Sequence, residues 1–367
     1  MTQSPTPQII ADRLQGNEHL SEKTITLSVF NWRLRIRSNS RMLLDRLQHY
    51  FAHVIASKSE SDFDAEVIAI ERAAPDVDLP FQDWAREPGK TGRKDSYVDL
   101  SGGRLLRKVR TGMVFLQSET NRIAAGRCLE FDNQVINFIN SQFMNELQQA
   151  NWVICHAAAF VRSNKAYAIA GFSGNGKSTL MLQALEDPEH AYLTNDRLFL
   201  QRFGDQTIAR GIPKMPRINP GTLLHNKRLV GLLDTEQQRR LREMPRDALW
   251  DLEEKHDVLI AEHYGARRVV QEAPLAGLLV LNWTRDSTEN TRIEPIDVKN
   301  RPDLLGAVMK SPGPFYQYAD GRFFSDTTTL DPKPYIEALT EISAFEATGG
   351  INFDEAIRRF VEHTQTD

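Results

Sequence analysis

The spacing of apolar positions divides the chain into short β-runs and a few helices. Thr24 to Arg37, TITLSVFNWRLRIR, alternates in places and is rich in β-formers, which predicts one or two strands. Ser38-Asn39-Ser40 then offers an N-cap, and Met42, Leu43, Leu44, Leu47, Tyr50 and Phe51 recur at helical spacing. Phe63 to Ile70 reads as another strand, and Ala74 to Lys94, with Pro75, Pro80 and Pro88, as a long loop. SYVDL and RLLRKV flank Ser101-Gly102-Gly103 as a hairpin. Over 133–149 the residues Val135, Ile136, Phe138, Ile139, Phe143 and Leu147 line one side of a helix. Residues 1–22 are largely polar, carry Pro5 and Pro7, and read as a disordered or frayed lead-in.

The texture changes at Trp152. WVICHAAAFV and AYAIAG are β-runs joined by the turn-like Ser163-Asn164-Lys165. A Gly-rich loop follows, then a helix, STLMLQALE, ended by Asp187-Pro188, then a third β-run, AYLTND. The alternation predicts an α/β domain over 151–367 behind an N-terminal α+β module over 23–150. Residues 234–257 are highly charged at helical spacing, a solvated helix or flap, whereas GLLVLNW (277–283) reads as a buried strand. Helices are predicted near 333–347 and 353–364, with Gly349-Gly350 between them.

Composition narrows the classes. The 367 residues allow roughly two domains of about 150. With 41% hydrophobic and 26% charged residues, a disordered or collagenous chain is excluded. The 45 basic and 49 acidic residues leave a net charge of −4, so no global positive field points to nucleic acid. Cys128 and Cys155 are too few for a disulfide scaffold or a structural zinc site. No apolar run reaches the length of a membrane span, and no signal-peptide pattern opens the chain. The expectation is a cytoplasmic protein without nucleic-acid or membrane partners, with a homo-oligomer left open.

One motif carries chemistry. Gly171-Phe172-Ser173-Gly174-Asn175-Gly176-Lys177-Ser178 is a complete G-x-x-x-x-G-K-[ST], a P-loop or Walker A sequence, between a strand and a helix. Glycines let successive N–H groups turn inward as an anion nest at a helix N-terminus. The expected nucleotide contacts are Gly171, Ser173, Gly174, Asn175, Gly176, Lys177, Ser178 and Thr179, with ATP and Mg²⁺ as cofactors. Lys177 reaches the β- and γ-phosphates, and the Ser178 hydroxyl is placed to ligate Mg²⁺. A strand further on, AYLTND ends in Asn195-Asp196. Asp196 at that strand end is read as a metal ligand or as the base that takes a proton from an attacking hydroxyl, against a turn or N-cap role. His156, on the strand before the loop, reaches the phosphate end if the two strands pair; a satisfied core histidine is the competing reading. Arg197, Lys214 and Arg217 form a candidate phosphate clamp, against a solvated basic loop. Asp251, Glu253, Glu254 and Asp257 read as a charged solvated face rather than a metal site.

These residues resemble a known group. His156-Ala157-Ala158, a hairpin, GFSGNGKST, and a strand ending in Asn195-Asp196 look like the catalytic domain of the HPr kinase/phosphorylase superfamily. Trp250-Asp251, Lys255-His256-Asp257 and Tyr264-Gly265 add a third match, and Phe172-Ser173 with the early HAA is similar to its HPr-kinase-related kinase B subgroup. The likeness covers about residues 150–285. It implies a P-loop domain related to the phosphoenolpyruvate carboxykinase architecture, and an ATP-dependent kinase acting on a serine-like hydroxyl of a protein or small molecule. It assigns Asp196 as base or metal ligand and sets His156 beside the transferred phosphate. Three departures stand out. The family pair is Asp-Asp where this chain has Asn195-Asp196; Arg210 to Asn219 carries no acidic residue; and Gln271-Glu272-Ala273-Pro274-Leu275 replaces the basic loop. These speak against phosphorylase activity and an HPr substrate. An ATP-bound switch without an acceptor is the alternative, and a GTPase is disfavoured because Asn226-Lys227-Arg228 fails the base-reading pattern.

Overall fold

The lead-in expected over residues 1–22 holds a helix, Pro7–Gln15. The Ile9 N–H donates to the Thr6 hydroxyl, Pro7 sits in the first turn where no N–H is needed, and Ile10, Ala11 and Leu14 are buried. A one-sided apolar stripe inside a polar stretch is enough, because burial of Ile10 and Leu14 supplies what the local composition does not.

The computed structural model describes residues 5–57, 62–86, 92–252 and 254–364, so residues 1–4 and 365–367, Pro88 of the predicted loop, and Glu253 lie outside the described residues. The protein is mixed α/β and divides into two units, Met1–Asn151 with Ser311–Leu330, and Trp152–Lys310 with Asp331–Asp367. The second domain expected as a continuous 151–367 stretch is thus interrupted, because residues 311–330 pack into the first unit.

In the first unit an eight-stranded sheet runs Ile25–Val29, Trp32–Ser38, Ala65–Glu71, Arg122–Gly126, Val114–Ser118, Gly103–Lys108, Asp95–Leu100, Gln82–Asp83. Val114 and Leu116 pack with Ile10 and Leu14 of the first helix. Phe115 between them turns the other way, its ring 5.2 Å from that of Phe138 on the helix Asp132–Gln149, as strand alternation demands. Arg104 ties the returning segment down. At 2% exposure its Nη1 donates to the carbonyls of Pro314 (3.1 Å) and Phe324 (2.9 Å), while Nε and Nη2 clasp the Asp99 carboxylate at 2.6 and 3.0 Å. The Tyr97 and Phe323 rings flank its guanidinium at 4.5 and 4.7 Å. Arg104→Ala leaves two carbonyls and a carboxylate without their donor, so urea unfolding of the full chain is expected to lose about 3 kcal/mol. A loss under about 1 kcal/mol would reduce the clasp to an ordinary surface pair.

The second unit is built on the long strand Glu272–Leu281. On one side it pairs parallel with Lys165–Gly171, which pairs antiparallel with Ala157–Arg162 and, beyond it, Ala191–Thr194. On the other side the strand forks. Its last residues pair parallel with Ser343–Thr348, and its first pair antiparallel with Gln206–Gly211, followed by Leu198–Phe203 and Val153–Cys155. Apolar residues from both branches meet in one core, including Ala159, Ala168, Leu278, Val280, Leu193 and Leu200.

Several predicted elements change. The helix expected near 333–347 is a short helix, Lys333–Ala338, and then the strand Ser343–Thr348. Ala344, Phe345 and Ala347 are buried there against Glu272–Leu281, so sheet pairing overrides the helical spacing. The hairpin Leu198–Phe203 and Gln206–Gly211 was not anticipated, and the charged stretch forms Thr235–Glu243 and Arg246–Asp251. Among the described residues no helix is long and apolar enough to cross a membrane.

Candidate functional site

Lys165–Gly171 delivers its carboxyl end to the glycine loop, and the helix Lys177–Ala184 leaves the loop immediately. Gly176 forms the N-cap at φ +84°, a left-handed geometry where a side chain is strained, and a Cβ there would lie 3.0 Å from the Phe353 ring. The helix start has no side-chain cap, and the first N–H groups of any helix lack an intrahelical partner, the positive end that an anion meets. A brace holds the loop from behind. The Trp283 indole donates to the Asn175 carbonyl at 3.0 Å, and Asn175 Nδ2 donates to the Leu281 carbonyl at 2.9 Å. The Asn175 N–H closes back on the Phe172 carbonyl at 3.2 Å, a turn within the loop.

Lys177 is only 9% exposed, and its ammonium donates to the Gly171 carbonyl (2.6 Å) and the Phe172 carbonyl (3.2 Å). Burial pushes its pKa down to about 8; Asp196 pulls it upward, and Lys310 and Lys255 add to the depression. Ser173 and Gly174 are exposed at the loop tip. The Thr179 hydroxyl lies 2.9 Å from that of Thr222.

The strand Ala191–Thr194 brings the Asn195-Asp196 pair to the same end, and the pair splits its work. The Ser178 hydroxyl donates to Asn195 Oδ1 at 2.9 Å. Asp196 instead lies between a histidine and a lysine, with His156 Nε2 3.1 Å from its Oδ1 and Lys310 Nζ 3.3 Å from its Oδ2. The residue adopts φ +72°, a left-handed conformation that costs about 1 kcal/mol and concentrates at working sites. Burial acts to raise the Asp196 carboxyl pKa, but Lys310, His156 and Arg197 outweigh it and hold the group well below the usual carboxylate range. Ser178 and Asn195 together present two neutral hard oxygens, a fit for a hard divalent cation that takes its remaining ligands from phosphate and water. Among the described residues no group of three or more His, Cys, Asp or Glu side chains is arranged for a metal.

The basic residues separate in the same way. Gly211 lets the hairpin end press against the Ala191–Thr194 strand, since a Cβ there would fall 2.0 Å from the Leu193 carbonyl oxygen. That approach carries Lys214 in, with its own carbonyl accepting from the Tyr192 hydroxyl at 2.6 Å. Lys214 sits near Arg197, and burial first, then Arg197, Lys310 and Arg217, push its pKa well below the usual lysine range against the pull of Asp196. Arg217, grouped with these in the sequence, is already engaged with Asp257 (3.3 Å) and the Lys255 carbonyl (3.1 Å). Lys310 carried no signal in the sequence; it follows the helix Pro302–Val308 in a loop with no motif. Both cysteines are buried and free, with thiols pushed up by burial, which leaves them inert.

No protein-family model matches this chain, and no curated protein matches it. Among solved structures it is similar to the Hpr(Ser) kinase/phosphatase from Coxiella burnetii, at 14% sequence identity over 57% of this chain and 95% of that chain, with a TM-score of 0.30. At that score the superposition carries no weight in assigning a role; the residue roles below rest on this chain's own geometry.

Proposed function

We propose that this protein is an ATP-dependent phosphotransferase of the HPr kinase/phosphorylase type, closest to the kinase B pattern, passing the γ-phosphoryl group of MgATP to an acceptor hydroxyl in the cytoplasm. The observation that supports it best is Asp196, a carboxylate kept ionised beside His156 and Lys310 at the end of the sheet where Lys177 and Ser178 begin their helix. The loop N–H groups and Lys177 hold the triphosphate tail, and Ser178 with Asn195 would hold Mg²⁺. When bound, the cation supplies charge neutralisation on the β- and γ-phosphates. The acceptor oxygen forms its bond to the γ-phosphorus as the bond to the β–γ bridging oxygen breaks, and the hydroxyl proton goes to Asp196. Lys310 and His156 orient that carboxylate. Lys177 and Lys310 meet the charge on the migrating group.

Purified protein incubated with γ-labelled ATP, Mg²⁺ and cell lysate is expected to yield an acid-stable labelled product. ATP turnover with no labelled product would overturn the transfer and favour a nucleotide-driven switch.

A proton is coupled to binding. With its pKa near 8 when the loop is empty, Lys177 is partly neutral at mild alkaline pH; a bound triphosphate favours the ammonium. Binding at about pH 8.5 is therefore expected to take up about 0.7 proton, and affinity to fall as pH rises above about 8. Calorimetry in buffers of differing ionisation enthalpy reads the uptake. Proton release, or no exchange at all, would contradict it.

A further inference from the structure

We propose that Trp283 is a positioning residue for the nucleotide. By holding the Asn175 carbonyl it fixes one orientation of the Asn175–Gly176 peptide, the one that turns the Gly176 N–H to the phosphates, and so presets the loop before ATP arrives. This rests on the phosphotransferase reading above and names a side chain outside the motif on which the phosphate affinity depends.

Trp283 is itself held firmly. It follows the long strand Glu272–Leu281, and both its neighbours are pinned: the Asn282 N–H donates to the Ala347 carbonyl and the Thr284 N–H to the Gly349 carbonyl, each at 2.9 Å. The indole is 6% exposed and meets the Phe353 ring edge to face, with centroids 5.4 Å apart at 79°. Phe353 opens the helix Phe353–His363, which the Asn352 side chain caps by accepting from the Glu355 N–H. Asp354 beside it accepts from Gln183 Nε2, on the helix that leaves the glycine loop, at 2.7 Å. A buried indole N–H needs an acceptor, and this one takes a carbonyl of the phosphate loop, 108 positions away in the chain, at 3.0 Å.

The consequence follows from peptide geometry. The peptide is trans, so the Asn175 carbonyl and the Gly176 N–H point in opposite directions. Trp283 takes the carbonyl, which directs the N–H away from the indole. Gly176 lacks a Cβ and stands at φ +84°, so the residue by itself tolerates a flip of that peptide at little steric cost. A flip exchanges the two groups and aims a carbonyl oxygen where phosphate chemistry calls for a donor. The other Asn175 bonds, from Nδ2 to the Leu281 carbonyl and from the N–H to the Phe172 carbonyl, fix the residue but leave the following peptide free to rotate. The indole removes that freedom. Without it the apparent affinity falls in proportion to the fraction of molecules still in the competent orientation.

The test uses the full chain with Mg²⁺ and a non-hydrolysable ATP analogue, read by calorimetry and by stopped flow. Trp283→Phe keeps a ring against Phe353 and omits the donor. It is expected to weaken binding by about tenfold, or about 1.4 kcal/mol, the scale of one buried hydrogen bond. Because the loss arises in the free protein, it should show as slower apparent association, with dissociation within about twofold of wild type. Phe353→Leu leaves the donor but loosens the indole, and is expected to lose about threefold by the same route; it carries the test if Trp283→Phe does not fold. A cooperative melt marks each variant as folded. Affinity within about twofold of wild type in folded Trp283→Phe, or loss of folding in both variants, would make the indole a structural support alone and overturn the inference. So would a loss carried by faster dissociation, which puts the effect in the bound state. Failure of wild type to bind the ATP analogue would instead remove the phosphotransferase reading, and this inference with it.

Discussion

Lys177→Met is expected to weaken MgATP binding by at least about tenfold and to lower phosphoryl transfer by about 10³-fold. The ammonium is the one charge anchored inside the glycine loop, held by the Gly171 and Phe172 carbonyls until a triphosphate takes their place. Folding stability should move the other way. Lys177 is 9% exposed, and its pKa has fallen from 10.5 to about 8. The depressed value means that the fold holds the lysine proton less tightly than the unfolded chain does. The charged form is thus disfavoured below about pH 8, by on the order of 3 kcal/mol, and that penalty is relieved as pH rises through the interval up to the unfolded value. Met keeps the aliphatic stem and omits the charge, so the variant should melt at or above the wild-type temperature near neutral pH and lose the alkaline rise. Wild-type affinity in calorimetry would dismiss Lys177 as a phosphate ligand. A large drop in melting temperature would show instead that its bonds to the loop hold the loop together.

Asp196→Asn is expected to lower the transfer rate by about 10²- to 10⁴-fold while MgATP binds as well as before or better. The substitution keeps the size and the left-handed backbone preference but removes the proton acceptor and a negative charge near the phosphates. Because Lys310, His156 and Arg197 hold the carboxyl well below its ordinary range, wild-type activity should not fall through protonation of Asp196 between about pH 5 and 7. A rate loss accompanied by an equal loss of ATP affinity would recast Asp196 as a structural counter-ion for Lys310 and His156. Single-turnover transfer beside equilibrium binding separates the two.

The loop motif and its setting between a strand and a helix were legible, because G-x-x-x-x-G-K-S combines backbone geometry and side-chain chemistry within eight consecutive positions. Asn195-Asp196 and His156 were also legible as neighbours of that motif, since the hairpin pairing Ala157–Arg162 with Lys165–Gly171 follows from local turn signals at Ser163-Asn164. What each does was not. Asn195 faces Ser178 and Asp196 faces His156, a division that depends on one left-handed residue and on a strand crossing that periodicity does not encode. Ser343–Thr348 differs from its predicted helix for a related reason: the short stretch SAFEAT satisfies either period, and the parallel partner Glu272–Leu281 decides.

By itself the sequence determined the local features: the glycine loop, its lysine and serine, the alternation of strands and helices, and a charge balance without a global field. These depend on residues a few positions apart, whose conformational preferences act before any tertiary contact forms. Only the tertiary structure decided that Lys310 meets Asp196 across 114 positions of chain, that Gly211 admits Lys214 beside the Leu193 carbonyl, and that residues 311–330 return to the first unit under Arg104. Those contacts join segments far apart in the chain. Their energies come from burial and paired charge in the assembled fold, quantities that a linear pattern does not contain.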